Sequence, residues 1–160
     1  GFNCPYGEDC DCHNYYPYSS YTPRTTYYGI NLIGKYMNNK NASVYNTSVT
    51  GGIAESSDGL YVTAIKNDDG NTVILIVNTE NSAANVNIQL EKNTDISYKR
   101  YSYEPEFVVP TAEATSIPSD KEISVYGMKE FNDVVPARSF SIYVSSSSGG
   151  FMGGDTEIPF

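Results

Sequence analysis

Tryptophan is absent from this 160-residue chain, and basic residues are scarce, since 10 Lys and Arg stand against 19 Asp and Glu and give a net charge of −9. Nucleic acids and anionic membrane surfaces recruit proteins through Lys/Arg patches, so this charge argues against both as partners. No stretch of the sequence approaches the ~20 apolar residues that a membrane-spanning helix requires. A neutral partner is therefore expected.

The chain also lacks recognisable catalytic motifs. It has one histidine and shows no nucleophile elbow, phosphate-binding loop or metalloprotease helix. Glu104 and Glu106 flank Pro105 in a predicted loop, whereas glycoside hydrolysis needs two carboxylates across a cleft. We therefore predict that this segment is not an enzyme. The sequence begins without Met or a signal peptide, so we expect a segment of a longer protein. Low Lys content, many Ser, Thr, Asn and Tyr residues and few cysteines favour an extracellular bacterial module.

The first 24 residues contain all three cysteines and the only histidine. These side chains, which together could form a four-ligand zinc site, are Cys4, Cys10, Cys12 and His13. Their spacing is poor for zinc, because structural sites use two short ligand pairs. A disulfide from Cys4 to one of the other cysteines is an alternative, and free thiols in a loop are the simplest interpretation. We predict no cofactor.

The segment "NDDGN" at residues 67–71 resembles half of a calcium-binding loop. It lacks the downstream bidentate glutamate that such a loop requires. Asp69-Gly70 between two apolar runs is also what a tight β-hairpin needs. The segment therefore predicts a turn between the strands "LYVTAIK" and "TVILIVN", and calcium is not favoured.

The order of hydrophobic patterns predicts one helix followed by strands. Tyr28, Leu32 and Tyr36 are four residues apart, as on one face of an amphipathic helix over residues 25–37. Short strand patterns separated by turn signals follow, ending with "ARSFSIYV". They predict an all-β fold, an antiparallel β-sandwich of about eight or nine strands with one short N-terminal helix. The predicted organisation is an N-terminal arm (1–24), the helix and sandwich (25–144), and a Ser/Gly-rich linker and tail (145–160).

Tyrosine makes up 15 of the 160 residues, and its positions on the predicted strands indicate a binding surface. Ile96, just before "SYKRYSYE", is expected to face the core. The two-residue period of a strand then turns Lys99, Tyr101 and Tyr103 outward. The same alternation places one tyrosine each in "EISVYGM" and "ARSFSIYV" outward. Outward aromatic rings can stack on the flat faces of sugars. The predicted carbohydrate-binding residues on the strands are Lys99, Tyr101, Tyr103, Tyr126 and Tyr143.

The tyrosine-rich binding surface, or platform, has alternatives. If the 25–37 helix packs on the same sheet face, these tyrosines are the surface on which the helix lies. The N-terminal arm adds Tyr18 and Tyr21 as candidate sugar-binding residues. Alternatively, its tyrosines anchor the arm around the sandwich, which we favour because a free aromatic arm invites aggregation.

The sequence of these elements is similar to a known architecture. "TTYYGINLIGKYM", followed by "GLYVTAIKNDDGNTVILIVN" and closing with "VPARSFSIYV", resembles the tail of bacterial glycoside hydrolases that degrade plant polysaccharides. In several such families, a last barrel helix leads into an accessory β-sandwich. The resemblance covers about residues 25–144.

The resemblance implies a non-catalytic module linked to a glycoside hydrolase catalytic domain. We expect it to bind a neutral plant cell-wall polysaccharide such as β-glucan, xyloglucan or xylan. The alternative is a structural sandwich that buttresses the catalytic barrel and has no ligand of its own. That alternative predicts an exposed apolar stripe on the 25–37 helix when its partner is absent.

Overall fold

A computed structural model describes residues 24–50, 59–108 and 116–146 of the chain. It contains one helix and six strands in these ranges. In chain order the elements are α1 (Thr25–Met37), β1 (Ser43–Val44), β2 (Leu60–Lys66), β3 (Thr72–Asn78), β4 (Ala84–Tyr103), β5 (Lys121–Val135) and β6 (Ser139–Ser146). The strand β6 thus continues two residues beyond the predicted boundary at Val144.

The six strands form one antiparallel sheet in the order β1-β2-β3-β6-β4-β5. The predicted β2–β3 hairpin is confirmed, with Lys66 opposite Thr72 and Gly70 at a φ of 85° in the turn. Such a positive φ favours glycine, which has no Cβ to clash. The carboxylate of Asp69 accepts hydrogen bonds from the backbone and the side chain of Asn71, which close this turn.

The long β4–β5 hairpin supplies a second layer. Residues 97–103 of β4 pair with β6, whereas residues 84–89 pair only with β5, beyond a register shift that follows Gln89. From this outer part of the hairpin, Ile88 and Phe131 pack with Ile74 of β3 in one buried cluster. The hairpin therefore folds across one face of the sheet and makes it a two-layer sandwich.

The predicted fold class, an antiparallel β-sandwich with one helix, is confirmed. The described residues contain six strands, fewer than the eight or nine predicted. One reason is that "NVNIQL" and "DISYKRYSY", predicted as separate strands, form the continuous 20-residue strand β4. The register shift bends this strand without ending it.

Helix α1 covers the opposite face of the sheet. Tyr28 and Leu32 are buried against a second cluster that includes Val73 and Ile142. Close approach requires Gly29, because a Cβ there would lie 3.0 Å from the ring of Tyr103. Both faces of the central strands are thus covered, one by the helix and the other by the folded hairpin.

Candidate functional site

Two of the predicted platform tyrosines lie beneath the helix. The rings of Tyr101 and Tyr36 are 4.7 Å apart between centroids, and Tyr103 is buried with its ring 4.9 Å from that of Phe140. The expectation that both rings face solvent is wrong, since Tyr101 is half-buried and Tyr103 buried. The reason is that α1 packs on the strand face that alternation alone marks as outward.

Tyr143 is fully buried in the opposite cluster, so its predicted outward position is also wrong. Its neighbours Ser139 and Ser141 are buried too, although their polarity indicated solvent. The residues of β6 that alternate with them, Phe140 and Ile142, pack against the helix side. Since both faces of β6 are covered, polar and apolar alternation along this strand does not distinguish core from surface.

Tyr126 and Lys99 remain open to solvent on the helix side of the sheet. Tyr126 is 56% exposed, and its hydroxyl lies 3.5 Å from that of Ser97. Lys99 stands opposite Glu122 on the neighbouring strand. We call the surface formed by Ser97, Lys99, Glu122, Ser124 and Tyr126 the Tyr126 strip. The remaining candidates, Tyr18 and Tyr21, lie outside the described residues.

A buried ionic cluster joins β4, β5 and β6. The carboxylate of Asp133 accepts hydrogen bonds from Lys121 Nζ at 2.6 Å, Arg100 Nη1 at 3.0 Å and the Tyr143 hydroxyl at 3.1 Å. Arg100 also forms a two-point pair with Asp120. This cluster fixes the hairpin to the central strand.

Burial and the charges in this cluster shift the pKa values of Asp133 and Tyr143. Burial alone would raise the pKa of Asp133, but the bonds from Lys121 and from the Val134 amide, together with the Arg100 charge, lower it below its usual value. Burial raises the pKa of Tyr143. The role of Asp133 was not predicted from the sequence, although a single acid at an inward position between Phe131 and Val135 was the available signal.

Helix α1 carries a second apolar ridge that faces solvent. Tyr27, Ile30 and Ile33 follow one another at three-residue intervals and are all exposed, with Ile30 at 66%. Such spacing forms one ridge along a helix. We call these three side chains the α1 flank. An exposed apolar stripe on this helix is what the buttress hypothesis predicts from the sequence.

The sheet continues this apolar surface. On the face that α1 covers, the strand register aligns Tyr61, Val77, Phe140 and Tyr103 in one row across four strands. Tyr61 is exposed, and Val77 and Phe140 are half-buried. The helix therefore leaves part of its own sheet face uncovered.

The described residues contain no group of three or more His, Cys, Asp or Glu side chains that could hold a metal ion. Cys4, Cys10, Cys12 and His13 lie outside the described ranges. In the same part of the chain, no helix is long and apolar enough to cross a membrane.

The architecture defines an antiparallel β-sandwich domain with a helix on one face. Residues 47–106 match the family model described as the glycosyl hydrolase family 30 beta sandwich domain. This match confirms the predicted resemblance to an accessory β-sandwich of a glycoside hydrolase. The domain named by that model is the β-sandwich part, and not the catalytic part, of family 30 enzymes. No curated protein matches the chain.

Solved structures show the same fold. A GH30 endoxylanase from Clostridium papyrosolvens C71 superposes with a TM-score of 0.56 at 18% identity, over 75% of this chain and 27% of the endoxylanase. A family 30 subfamily 8 xylanase from Clostridium acetobutylicum superposes with a TM-score of 0.53 at 17% identity, over 75% and 27% of the two chains. The chain therefore spans about a quarter of the length of these relatives.

Proposed function

We propose that this chain is the accessory sandwich domain of a secreted glycoside hydrolase and that it packs against the catalytic domain through the α1 flank. The observation that carries this proposal is the exposed ridge of Tyr27, Ile30 and Ile33 on a helix that buries Tyr28 and Leu32 against the sheet. Contiguous exposed apolar surfaces mark sites of protein–protein contact.

Three features support a catalytic domain as the occupant. The matched part of the chain covers 27% of each family 30 xylanase that shares its fold, which leaves room for a catalytic domain in a longer polypeptide. The flank lies on α1, the first described element, so a domain preceding the sandwich in sequence would meet it. The flank carries no charged side chain, as suits a permanent interface within one polypeptide.

The test introduces Ile30→Glu or Ile33→Glu into two proteins, the 160-residue chain and the longer polypeptide that includes the catalytic domain. In the 160-residue chain, both side chains are exposed, so each substitution should change the free energy of unfolding by less than about 0.5 kcal/mol. In the longer polypeptide, each should bury an unpaired carboxylate at the domain interface and cost at least about 2 kcal/mol. Denaturant unfolding of both forms measures the difference.

Val134→Glu is the matched control, because Val134 is an exposed apolar residue on β5 and lies apart from the helix. It should have the same small effect in both contexts. Equal effects of Ile30→Glu in the short chain and in the longer polypeptide would refute packing through the α1 flank.

Binding of a neutral plant polysaccharide is the second candidate function, and the open Tyr126 strip favours it. Tyr126 presents an exposed ring beside hydroxyl and charged side chains, which is the chemistry that recognises sugars. In native gels containing xylan, xyloglucan or barley β-glucan, the strip predicts retardation of the wild-type chain. Tyr126→Ala should abolish this retardation without unfolding the protein. Unchanged retardation of the variant would exclude the strip as the binding surface.

A further inference from the structure

Three connections meet at one end of the sandwich and line a groove. They are the β3–β4 loop (79–83), the described parts of the β4–β5 connection (104–108 and 116–120) and the β5–β6 turn (136–138). A cavity of about 530 Å³ lies between them, which falls in the size range of small-molecule sites. Its side chains of chemical interest are Asn81, Glu104, Glu106, Phe107 and Arg138.

The wall formed by Arg138 is held rigidly. Arg138 has a φ of 48°, which is uncommon for a residue with a side chain. Its amide donates to the Glu80 carbonyl at 2.9 Å, and its Nε donates to Asn81 Oδ1 at 2.6 Å. The buried Asn78 donates to the carbonyls of Ser82 and Pro136 and ties the two loops together. The guanidinium of Arg138 is thus fixed at the groove.

The opposite wall presents an exposed aromatic ring. Phe107 is 75% exposed, and it lies in a turn in which the amides of Phe107 and Val108 donate to the Glu104 carbonyl. An exposed aromatic ring beside polar groups offers a face on which the C–H side of a sugar ring can stack. No ion pair between described residues neutralises Arg138, Glu104 or Glu106. Their charged groups are therefore available for hydrogen bonds with a ligand.

The groove extends beyond this one cavity. Arg138 also lines a cavity of about 470 Å³ with Phe140 and Tyr103. Glu104 and Phe107 also line a cavity of about 250 Å³, to which Pro118 contributes. The middle cavity thus shares walls with both of the others, and we call the three adjoining cavities the loop-end groove. An extended groove suits a linear chain better than a compact ligand.

We propose that the loop-end groove binds a linear, neutral oligosaccharide. Phe107 stacks on the C–H face of one sugar ring, and Glu104, Glu106 and Arg138 bind hydroxyl groups. Two carboxylates against one guanidinium leave the groove negative, as is the whole chain at −9. Sugars with carboxylate or sulfate groups are therefore disfavoured. This inference does not rest on packing through the α1 flank, and the groove is separate from the Tyr126 strip.

Native affinity electrophoresis of the 160-residue chain tests the proposal, with gels carrying xylan, xyloglucan, barley β-glucan or pectin. We expect retardation by at least one neutral polysaccharide and free migration in pectin. Phe107→Ala should raise the apparent dissociation constant by about tenfold or more. Arg138→Gly should do the same, and glycine accepts the positive φ at this position, so the fold is kept. Circular dichroism verifies that both variants are folded.

Tyr45→Ala is the matched control, because it removes a 40% exposed ring that lies beside β1 and belongs to neither proposed binding surface. Loss of retardation in Phe107→Ala but not in Tyr45→Ala supports the groove. Unchanged retardation of Phe107→Ala, or free migration of the folded wild-type chain in every gel, overturns the inference. A fall in stability of the longer polypeptide on Phe107→Ala, with retardation unchanged, would instead assign this ring to contact with the catalytic domain.

Discussion

Replacing Asp133 by asparagine is expected to lower the free energy of unfolding by about 3–5 kcal/mol. The side chain of Asp133 is 2% exposed and lies between the cationic groups of Arg100 and Lys121. Asparagine has nearly the same shape but no negative charge. Its side-chain NH₂ group then faces an N–H donor of Arg100 or Lys121, with which it cannot form a hydrogen bond. Two positive charges then lose their shared buried partner. Denaturant unfolding at pH 7 measures the loss.

Asp120→Asn is the matched control, because Asp120 pairs with the same Arg100 but is 38% exposed. Exposed ion pairs contribute little, so this variant should lose no more than about 1 kcal/mol. Equal losses in the two variants would contradict the distinction between the buried and the exposed partner.

The same cluster predicts an acid-sensitive component of stability. Because the pKa of Asp133 is lowered in the folded protein, its contribution is complete above the unfolded-state pKa of about 3.9. The contribution is lost as the pH falls through the lower, folded-state pKa. Wild-type stability should therefore decline more steeply below about pH 4 than that of Asp133→Asn. Parallel declines would show that other carboxylates dominate acid unfolding.

Tyr143→Ala is expected to destabilise the fold by about 3–5 kcal/mol, as for other large aromatic residues in cores. Its ring is fully buried, 5.8 Å between centroids from Phe131, which in turn lies 5.4 Å from Tyr98. Truncation leaves a cavity in this aromatic cluster and removes a hydrogen bond to Asp133. Thermal or denaturant unfolding in plain buffer detects the loss.

Tyr143→Phe separates the two contributions, since it keeps the ring and removes the hydroxyl. It should cost about 1 kcal/mol, the usual net value of one hydrogen bond. Tyr126→Ala, on the surface, should cost less than about 0.5 kcal/mol. A stability of Tyr143→Ala close to that of the wild type would contradict the buried position of this ring.

Local patterns were sufficient to predict much of the fold. The four-residue spacing of Tyr28, Leu32 and Tyr36 predicted the helix, and Asp69-Gly70 predicted the hairpin turn. These features depend on neighbours within a few residues, where periodicity and turn chemistry act directly.

The candidate site could not be predicted to the same extent, because it depends on strand order. Alternation separates two faces of a strand but does not say which one is covered. Tyr143 was misplaced because β6 is a central strand with both faces covered, which only the pairing with β3 and β4 reveals. Tyr126 lies on the edge strand β5, so strand alternation alone was sufficient to predict its exposed position.

The groove residues escaped the sequence analysis for a related reason. Asn81, Phe107 and Arg138 come from three separate connections, and no local spacing relates them. Only the sheet order brings these connections to one end of the sandwich. The buttress hypothesis, by contrast, predicted an exposed apolar stripe on the 25–37 helix, although it did not name the residues of the α1 flank.

The central position of β6 has a consequence for folding during synthesis on the ribosome. The β2–β3 and β4–β5 hairpins each pair strands that follow one another in sequence, but within the sheet they are joined through β6. Residues 139–146 are the last of the six described strands to be synthesised. The sheet cannot close until they leave the exit tunnel, so synthesis of all six described strands precedes cooperative folding. A nascent chain that stalls before Ser139 would expose both hairpins as unpaired edges to chaperones and proteases.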